Sequence, residues 1–287
     1  MKSVSLVLGS GGARGLAHIG VIKWLEENDY KIESISGCSM GALVGGFYAA
    51  GRLDDYVNWV EEIDVLDMLK LLDFKGSGGL VSGDNIINRL EEIMGGDRLI
   101  EDLLLSFTAV TTDIDEEKEV WLNKGSLLKA IRASISIPLF FTPYKYKDML
   151  LVDGGVLNPV PIAPTFHDNT DITIAVNLGA DAQHNIELGL VNPDESSNIS
   201  TKISDYLSKI TLPESIKSKD GMYVIANKSF ETMQGTIARM KLATYPADVE
   251  IDIPRNLCGT FDFNKAEKII EYGYNVCADT FKQENGE

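Results

Sequence analysis

A serine framed by glycines, Gly37-Cys38-Ser39-Met40-Gly41, fits the Gly-x-Ser-x-Gly pattern of a sharp strand-to-helix turn that lifts a hydroxyl out of a sheet. Small neighbours are needed there because the serine backbone is strained. Ser39 is the candidate nucleophile, and its place at a helix N-terminus sets aligned amide dipoles beside any developing negative charge. A free hydroxyl is a poor nucleophile and requires a base. Asp153 closes the apolar run Leu150-Leu151-Val152 and precedes Gly154-Gly155; read alone, Asp-Gly is a turn signal. Of the histidines, His18 falls in the first helix and His167 and His184 in or near polar loops, and each alone reads as a solvated or internally satisfied side chain. The order Ser39, Asp153, His167 or His184 nevertheless suits an α/β-hydrolase triad.

Gly9-Ser10-Gly11-Gly12-Ala13-Arg14-Gly15 is a further candidate. A dinucleotide fingerprint starting at Gly9 would need a glycine where Arg14 stands, and no Gly-Lys-Ser/Thr follows as in a P-loop. What remains is either a glycine turn or a set of adjacent amides, free of side chains, that can face an oxyanion.

These residues need a scaffold. Val4 to Leu8 reads as a strand, then the glycine loop, then a helix from Leu16 to Glu27; Ile32 to Ser36 reads as a strand running through the serine turn into a helix over Ala42 to Ala50. Two strand-to-helix units in succession predict a parallel sheet flanked by helices. Arg52 to Phe74 reads as one or two helices and Asp84 to Met94 as another. Ser106 to Thr112, Glu119 to Leu122, Met149 to Val152, Ile172 to Val176 and Val249 to Ile253, the last stopped by Pro254, read as strands. Ala182 to Ser200 is polar and carries Asn192-Pro193-Asp194, which predicts a long mobile loop. Helical stretches follow up to about Ala243, with a last helix from Asn264 to Phe281. No internal repeat is visible, so residues 1–287 read as a single domain with a more variable portion from about 182.

Lys+Arg 26 against Asp+Glu 43 gives a net charge of -17, which repels phosphate backbones and anionic bilayers. No nucleic-acid partner is expected, and at most transient contact with a membrane surface. With 44% hydrophobic and 24% charged residues the chain can bury a core. Cys38, Cys258 and Cys277 show no CxxC spacing, so neither a disulfide framework nor a thiolate zinc site is expected. The apolar run after Lys2 is too short for a signal segment and no stretch reaches the roughly 20 apolar residues of a membrane span; the expectation is a cytoplasmic protein. Asp113-Ile114-Asp115-Glu116-Glu117 would put lysines at positions six and twelve of a calcium loop, so no metal is expected there, and no cofactor elsewhere. Ile63 to Phe74 is amphipathic, and core packing is favoured over a lipid-contacting flap; Leu139-Phe140-Phe141 suits an acyl pocket or the core equally. Oligomeric state leaves no signal.

Gly11-Gly12-Ala13-Arg14-Gly15, Gly-Cys-Ser39-Met-Gly and Asp153-Gly-Gly, in that order, resemble the patatin-like phospholipase family. Ser82-Gly83-Asp84, Ile131-Arg132-Ala133-Ser134-Ile135-Ser136-Ile137-Pro138, Asn158-Pro159-Val160-Pro161 and Ala247-Asp248-Val249 extend the likeness over almost the whole chain, with Ser10 a departure where many members carry glycine. The resemblance implies an α/β three-layer sandwich with a mainly parallel central sheet. It further implies a Ser39–Asp153 dyad without histidine, an oxyanion hole from Gly11 and Gly12, and an arginine, Arg14, able to hold a lipid phosphate; a salt bridge to a surface carboxylate is the plainer role for Arg14. The expected activity is hydrolysis of acyl esters in phospholipids, lysophospholipids or related lipids. A regulatory or binding protein on the same fold, a Ser-His-Asp esterase and a nucleotide-binding module are the competing readings.

Overall fold

The computed structural model describes residues 1–63, 65–71, 81–183 and 222–285. Its centre is an eight-stranded sheet built from β1 (Lys2–Leu8), β2 (Tyr30–Cys38), β3 (Ser106–Asp113), β4 (Lys118–Leu122), β5 (Tyr144–Tyr146), β6 (Met149–Asp153), β7 (Ile172–Ala180) and β8 (Val249–Pro254), in the order β5-β6-β3-β2-β1-β7-β8 with β4 also on β3. The run from β3 through β2, β1 and β7 to β8 is parallel, and β4, β5 and β6 join antiparallel. The helices are α1 (Ala17–Glu27), α2 (Met40–Ala49), α3 (Leu53–Glu62), α4 (Val65–Leu71), α5 (Asp84–Met94), α6 (Leu127–Ser134), α7 (Met222–Thr244) and α8 (Ala266–Asn285).

Side chains of a strand alternate between faces, and β1 shows the result. Val4, Leu6 and Leu8 enter the main core with Leu16, Ile22, Phe47 and Ile270, which α1, α2 and α8 contribute with the loop before α1. Val7 faces the other way, into a smaller cluster with Val160, Ile162, Ala175 and, from α7, Ala238 and Leu242. Helices therefore cover both faces, the three-layer arrangement that two successive strand-to-helix units require.

The register at β3 matters most for function. Ser106 to Val110 pair with β2, ending at Cys38 opposite Val110; the next residues, Thr111 to Asp113, pair with β6, ending at Asp153 opposite Thr111. β4 occupies Ala109 to Asp113 on the opposite edge, so β2 and β6 share one edge. Because β2 is parallel and β6 antiparallel to β3, their C-terminal ends run head to head along it.

Within the described residues the expected strands and helices are present, with informative differences. α6 and the three-residue β5 were not expected, and β7 continues past Val176 to Ala180. Two helices, α3 and α4, fill the Arg52 to Phe74 region as far as Leu71. The expected mobile loop falls mainly outside the described residues, as do His184, Leu72 and Phe74. The acidic run at Asp113 is a tight turn between β3 and β4, where Asp113 Oδ1 accepts from the amides of Asp115 at 3.2 Å and Glu116 at 3.4 Å.

Candidate active site

Ser39 has φ 56° and ψ −121° between β2 and α2, a backbone region that L-residues populate only when the surroundings enforce it. The enforcement is steric. A Cβ on Gly37 would come within 2.5 Å of the Gly41 carbonyl oxygen, and one on Gly41 would collide with the Leu8 carbonyl, so glycine at both positions lets α2 press against the strand ends. Ser134, at the end of α6, locks the turn: its Oγ accepts the Ser39 amide at 2.9 Å and donates to Val110 O at 2.7 Å. Ser134→Ala leaves a buried N–H and a buried carbonyl without that partner, so a loss of about 1–3 kcal/mol in stability is expected, measured by urea denaturation.

The head-to-head strand ends bring Asp153 to this turn. Its amide donates to Ser136 O at 2.9 Å, so the segment Ser134 to Ser136 holds the backbones of both Ser39 and Asp153. The Asp153 side chain is fully buried. Oδ1 accepts the Gly155 amide at 2.7 Å and the Cys38 thiol at 3.7 Å, whereas Oδ2 has no partner among the described residues. Burial raises the carboxyl from 3.8 to about 6, against the opposing pull of the Ser39 hydroxyl, the Gly155 amide and the Cys38 thiol. Burial likewise pushes the Cys38 thiol well up, so it stays protonated and donates. Asp153 thus performs the turn-capping that Asp-Gly suggests, with one oxygen left over.

The glycine loop becomes a 3₁₀ turn over Gly12–Leu16. The Ser10 amide is spent on Pro159 O at 2.8 Å and the Ala13 amide on Thr260 O at 2.9 Å. Between them, the amides of Gly11 and Gly12 donate to nothing among the described residues. Gly12 has φ +55°, and a Cβ there would meet Thr260 Cγ2 and O at 2.7 Å, so the tight loop excludes other residues at this position.

His18 is buried, and its Nε2 meets Gly9 O at 2.8 Å; burial lowers its pKa to about 4. The ring is therefore neutral at pH 7 and donates from Nε2 as a loop brace, while its buried Nδ1 has no partner among the described residues. His167 is exposed. No histidine lines the cavities around Ser39 and Asp153 among the described residues. Arg14 is 8% exposed and forms no salt bridge to a carboxylate among the described residues. Its Nη1 donates to Cys258 O at 3.3 Å, and its Nε is buried without a partner.

Ser39 and Gly12 open into an apolar cavity of about 110 Å³ lined by Leu43, Trp59, Ile86, Phe140 and Phe261 among others. Ile63, Met68 and Leu71 also face it, so the amphipathic stretch lines a cavity as well as packing on the core. Phe140 and Phe141 both line it, with the Phe140 ring tilted against Phe261 at a centroid distance of 4.5 Å, while Leu139 is exposed. Asp153 does not line this cavity; with Gly11 and Gly12 it lines a small polar neck of about 20 Å³ that shares Gly12, Ile137 and Thr260 with the apolar cavity. Sequence reasoning did not find roles for Ser134, Ser136 or Cys38; the run from Arg132 to Ser136 was visible only as part of a likeness. Arg132 is buried and donates to Ser136 Oγ at 2.6 Å, to Thr142 O at 3.1 Å and to Ser82 O, tying the α6 C-terminus to the segment before α5.

Comparison with known proteins bears on the family and the fold. The model of the patatin-like phospholipase family matches residues 6–166. An uncharacterized NTE family protein of Mycobacterium tuberculosis is 35% identical over 94% of this chain and 89% of its own length. The lysophospholipase NTE1 of Coccidioides immitis is 27% identical over 99% of this chain, which corresponds to 18% of that longer protein. In fold, the crystal structure of VipD from Legionella pneumophila aligns with a TM-score of 0.59 at 14% identity, covering 98% of this chain and 67% of that one. The chain belongs to the patatin-like phospholipase family.

Proposed function

We propose that this protein is a lipid acyl hydrolase that cleaves acyl esters of phospholipids or lysophospholipids through a Ser39–Asp153 dyad. The observation that carries the reading is the meeting of Ser39, on its strained turn, with a buried carboxyl whose Oδ2 is unspent, at the mouth of an apolar cavity. Family membership and the lysophospholipase name of the Coccidioides relative support the ester class.

In this mechanism the acyl chain occupies the apolar cavity and the ester carbonyl lies between Ser39 and the Gly11–Gly12 amides. Ser39 Oγ attacks the carbonyl carbon while its proton passes to Asp153. The carbonyl oxygen becomes an oxyanion, held by the two amides that donate to nothing among the described residues. Collapse breaks the ester C–O bond, and the departing alcohol takes the proton from Asp153. Water then gives a proton to Asp153 as its oxygen attacks the acyl-enzyme, and the Ser39 oxygen leaves with that proton as the fatty acid departs. A carboxyl near 6 suits both halves, being ionised at pH 7 yet basic enough to accept a proton.

The test is labelling with a fluorophosphonate beside fatty-acid release from a long-chain lysophospholipid. Labelling at Ser39 with release of fatty acid is expected; absence of both would favour a binding protein on this fold. Because the dyad uses no imidazole, His167→Ala and His184→Ala, singly and together, are expected to keep kcat/KM within about twofold of the parent. A loss of several orders of magnitude in either folded variant would move the assignment to a triad.

A further inference from the structure

Beyond the neck that holds Asp153 lies a third, larger cavity of about 360 Å³, which the mechanism above does not use. The two share Ser10, Arg14, Glu231 and Gln234. Arg14, Lys228, Arg239 and Arg255 line the larger cavity, with Glu231 its only carboxylate among the described residues and Arg255 paired to Asp181 at 3.2 Å, in a chain whose net charge is -17. Glu231 accepts from Thr260 Oγ1 at 3.0 Å. Arg14 is more than nine-tenths buried with Nε unpartnered among the described residues, which is costly unless a ligand completes it. α7 forms one wall with the face carrying Lys228, Glu231, Gly235 and Arg239, spaced by three or four residues as a single helical stripe. Gly235 keeps the floor open: a Cβ there would meet only Arg239 Nη1 at 3.6 Å and Gly179 O at 3.9 Å.

We infer that this cavity is an anion subsite that receives the phosphate of a glycerophospho leaving group. The inference rests on the hydrolase reading, and it follows from which recess each group lines: Ser39 lines the apolar cavity, and Asp153 lines the neck that borders the cation-lined one. Asp153 must protonate the departing alcohol, so that alcohol leaves on the Asp153 side, away from the apolar cavity. Arg14 and Gln234 line both that neck and the larger cavity, where Arg239 joins them. A glycerol phosphate is short enough to keep its ester oxygen at Asp153 while its phosphate meets guanidinium groups, which suit phosphate oxygens through paired N–H donors. The substrate is thus divided at the reacting carbon, acyl chain to one side and anion to the other. The cation cluster also supplies attraction that the rest of this acidic surface denies to a phosphate.

The experiment is calorimetric titration of the full chain with glycerol 3-phosphate, glycerol and inorganic phosphate. Saturable binding of glycerol 3-phosphate, none of glycerol and weaker binding of inorganic phosphate are expected. Arg239→Gln should weaken glycerol 3-phosphate about tenfold or more, and Arg239→Lys should recover part of the loss. Gly235→Leu leaves every charge in place and fills the floor, so it should also abolish binding; an unchanged melting temperature in each variant shows that the fold persists. The inference is overturned if glycerol 3-phosphate does not bind, if inorganic phosphate binds as tightly, which would make this a free-phosphate site, or if Arg239→Gln and Gly235→Leu both bind as the parent does. Turnover of a long-chain ester without phosphate tests the hydrolase separately. Turnover without glycerol 3-phosphate binding ends the subsite and keeps the enzyme; binding without turnover keeps an anion site and ends its role as the exit for a leaving group.

Discussion

Ser39→Ala is expected to remove ester hydrolysis almost completely, by up to about 10⁶-fold in kcat, while the protein stays folded. The size follows from the chemistry, since without the hydroxyl there is no atom to form the acyl-enzyme and only the amides and the binding cavities remain to assist water. Folding should survive because the lock on the turn is made by the Ser39 backbone: its amide bonds Ser134 Oγ, and its carbonyl accepts the Leu43 amide at 3.1 Å. Alanine keeps both bonds and occupies the positive-φ position at a strain similar to that of serine. Near-parental circular dichroism and urea midpoint, loss of fluorophosphonate labelling and loss of fatty-acid release are the expected results together. Undiminished turnover in a demonstrably pure Ser39→Ala sample would exclude Ser39 as nucleophile and with it the dyad.

Ser39 could be found from sequence because everything that shapes its turn is local. The apolar strand before it, the glycines that avoid collisions and the helix after it lie within a few residues of one another. Asp153 is different. Its place beside Ser39 depends on β6 meeting β3 exactly one position beyond the end of β2, and neither periodicity nor turn chemistry carries that register. Likeness to a family supplied the pairing that the residues alone left open between an aspartate and a histidine. The same limit hid Ser134, whose bonds reach residues 39 and 110, and the cation cavity, whose walls come from the glycine loop, β7, α7 and the end of β8.

Secondary structure was readable where hydrophobic pattern and element length agreed. α5 fits the expected Asp84 to Met94, helped by left-handed glycines at both ends, Gly83 at φ +79° and Gly95 at φ +75°. α6 has only eight residues, although Ser126 caps it by accepting the Lys129 amide at 3.1 Å; two turns give too short a period to stand out. The extension of β7 was hidden by Asn177, a polar residue in an apolar run. Its side chain is spent on Asp252 Oδ1 at 2.9 Å and on the Gly179 amide at 3.0 Å, which makes it a strand residue after all.

Asp153→Asn is expected to lower hydrolysis by about 10⁴-fold, the upper range for loss of a general base, and also to make the protein more stable above pH 6. Burial raises the carboxyl from 3.8 to about 6, so between those values the folded chain keeps a proton that the unfolded chain has released. Stability rises with pH only where the unfolded state binds more protons. Here the folded state binds more, so ionisation of Asp153 removes stability as the pH climbs from about 4 to about 6, and above that the whole cost is present. Asparagine never ionises and can keep Oδ1 on the Gly155 amide, but its own N–H groups must be desolvated. A net gain of about 1–2 kcal/mol over the parent is therefore expected at pH 8, fading to nothing near pH 4, in urea denaturation at both pH values. Parental kcat/KM should rise through about pH 6 as the carboxylate forms, which is the same proton read through turnover. A gain in stability independent of pH would mean that asparagine merely packs better, and appreciable activity in the variant would mean that another group takes the Ser39 proton. The opposite pair, activity lost and stability gained only where Asp153 would be charged, is what distinguishes a buried base retained for its chemistry from one retained for the fold.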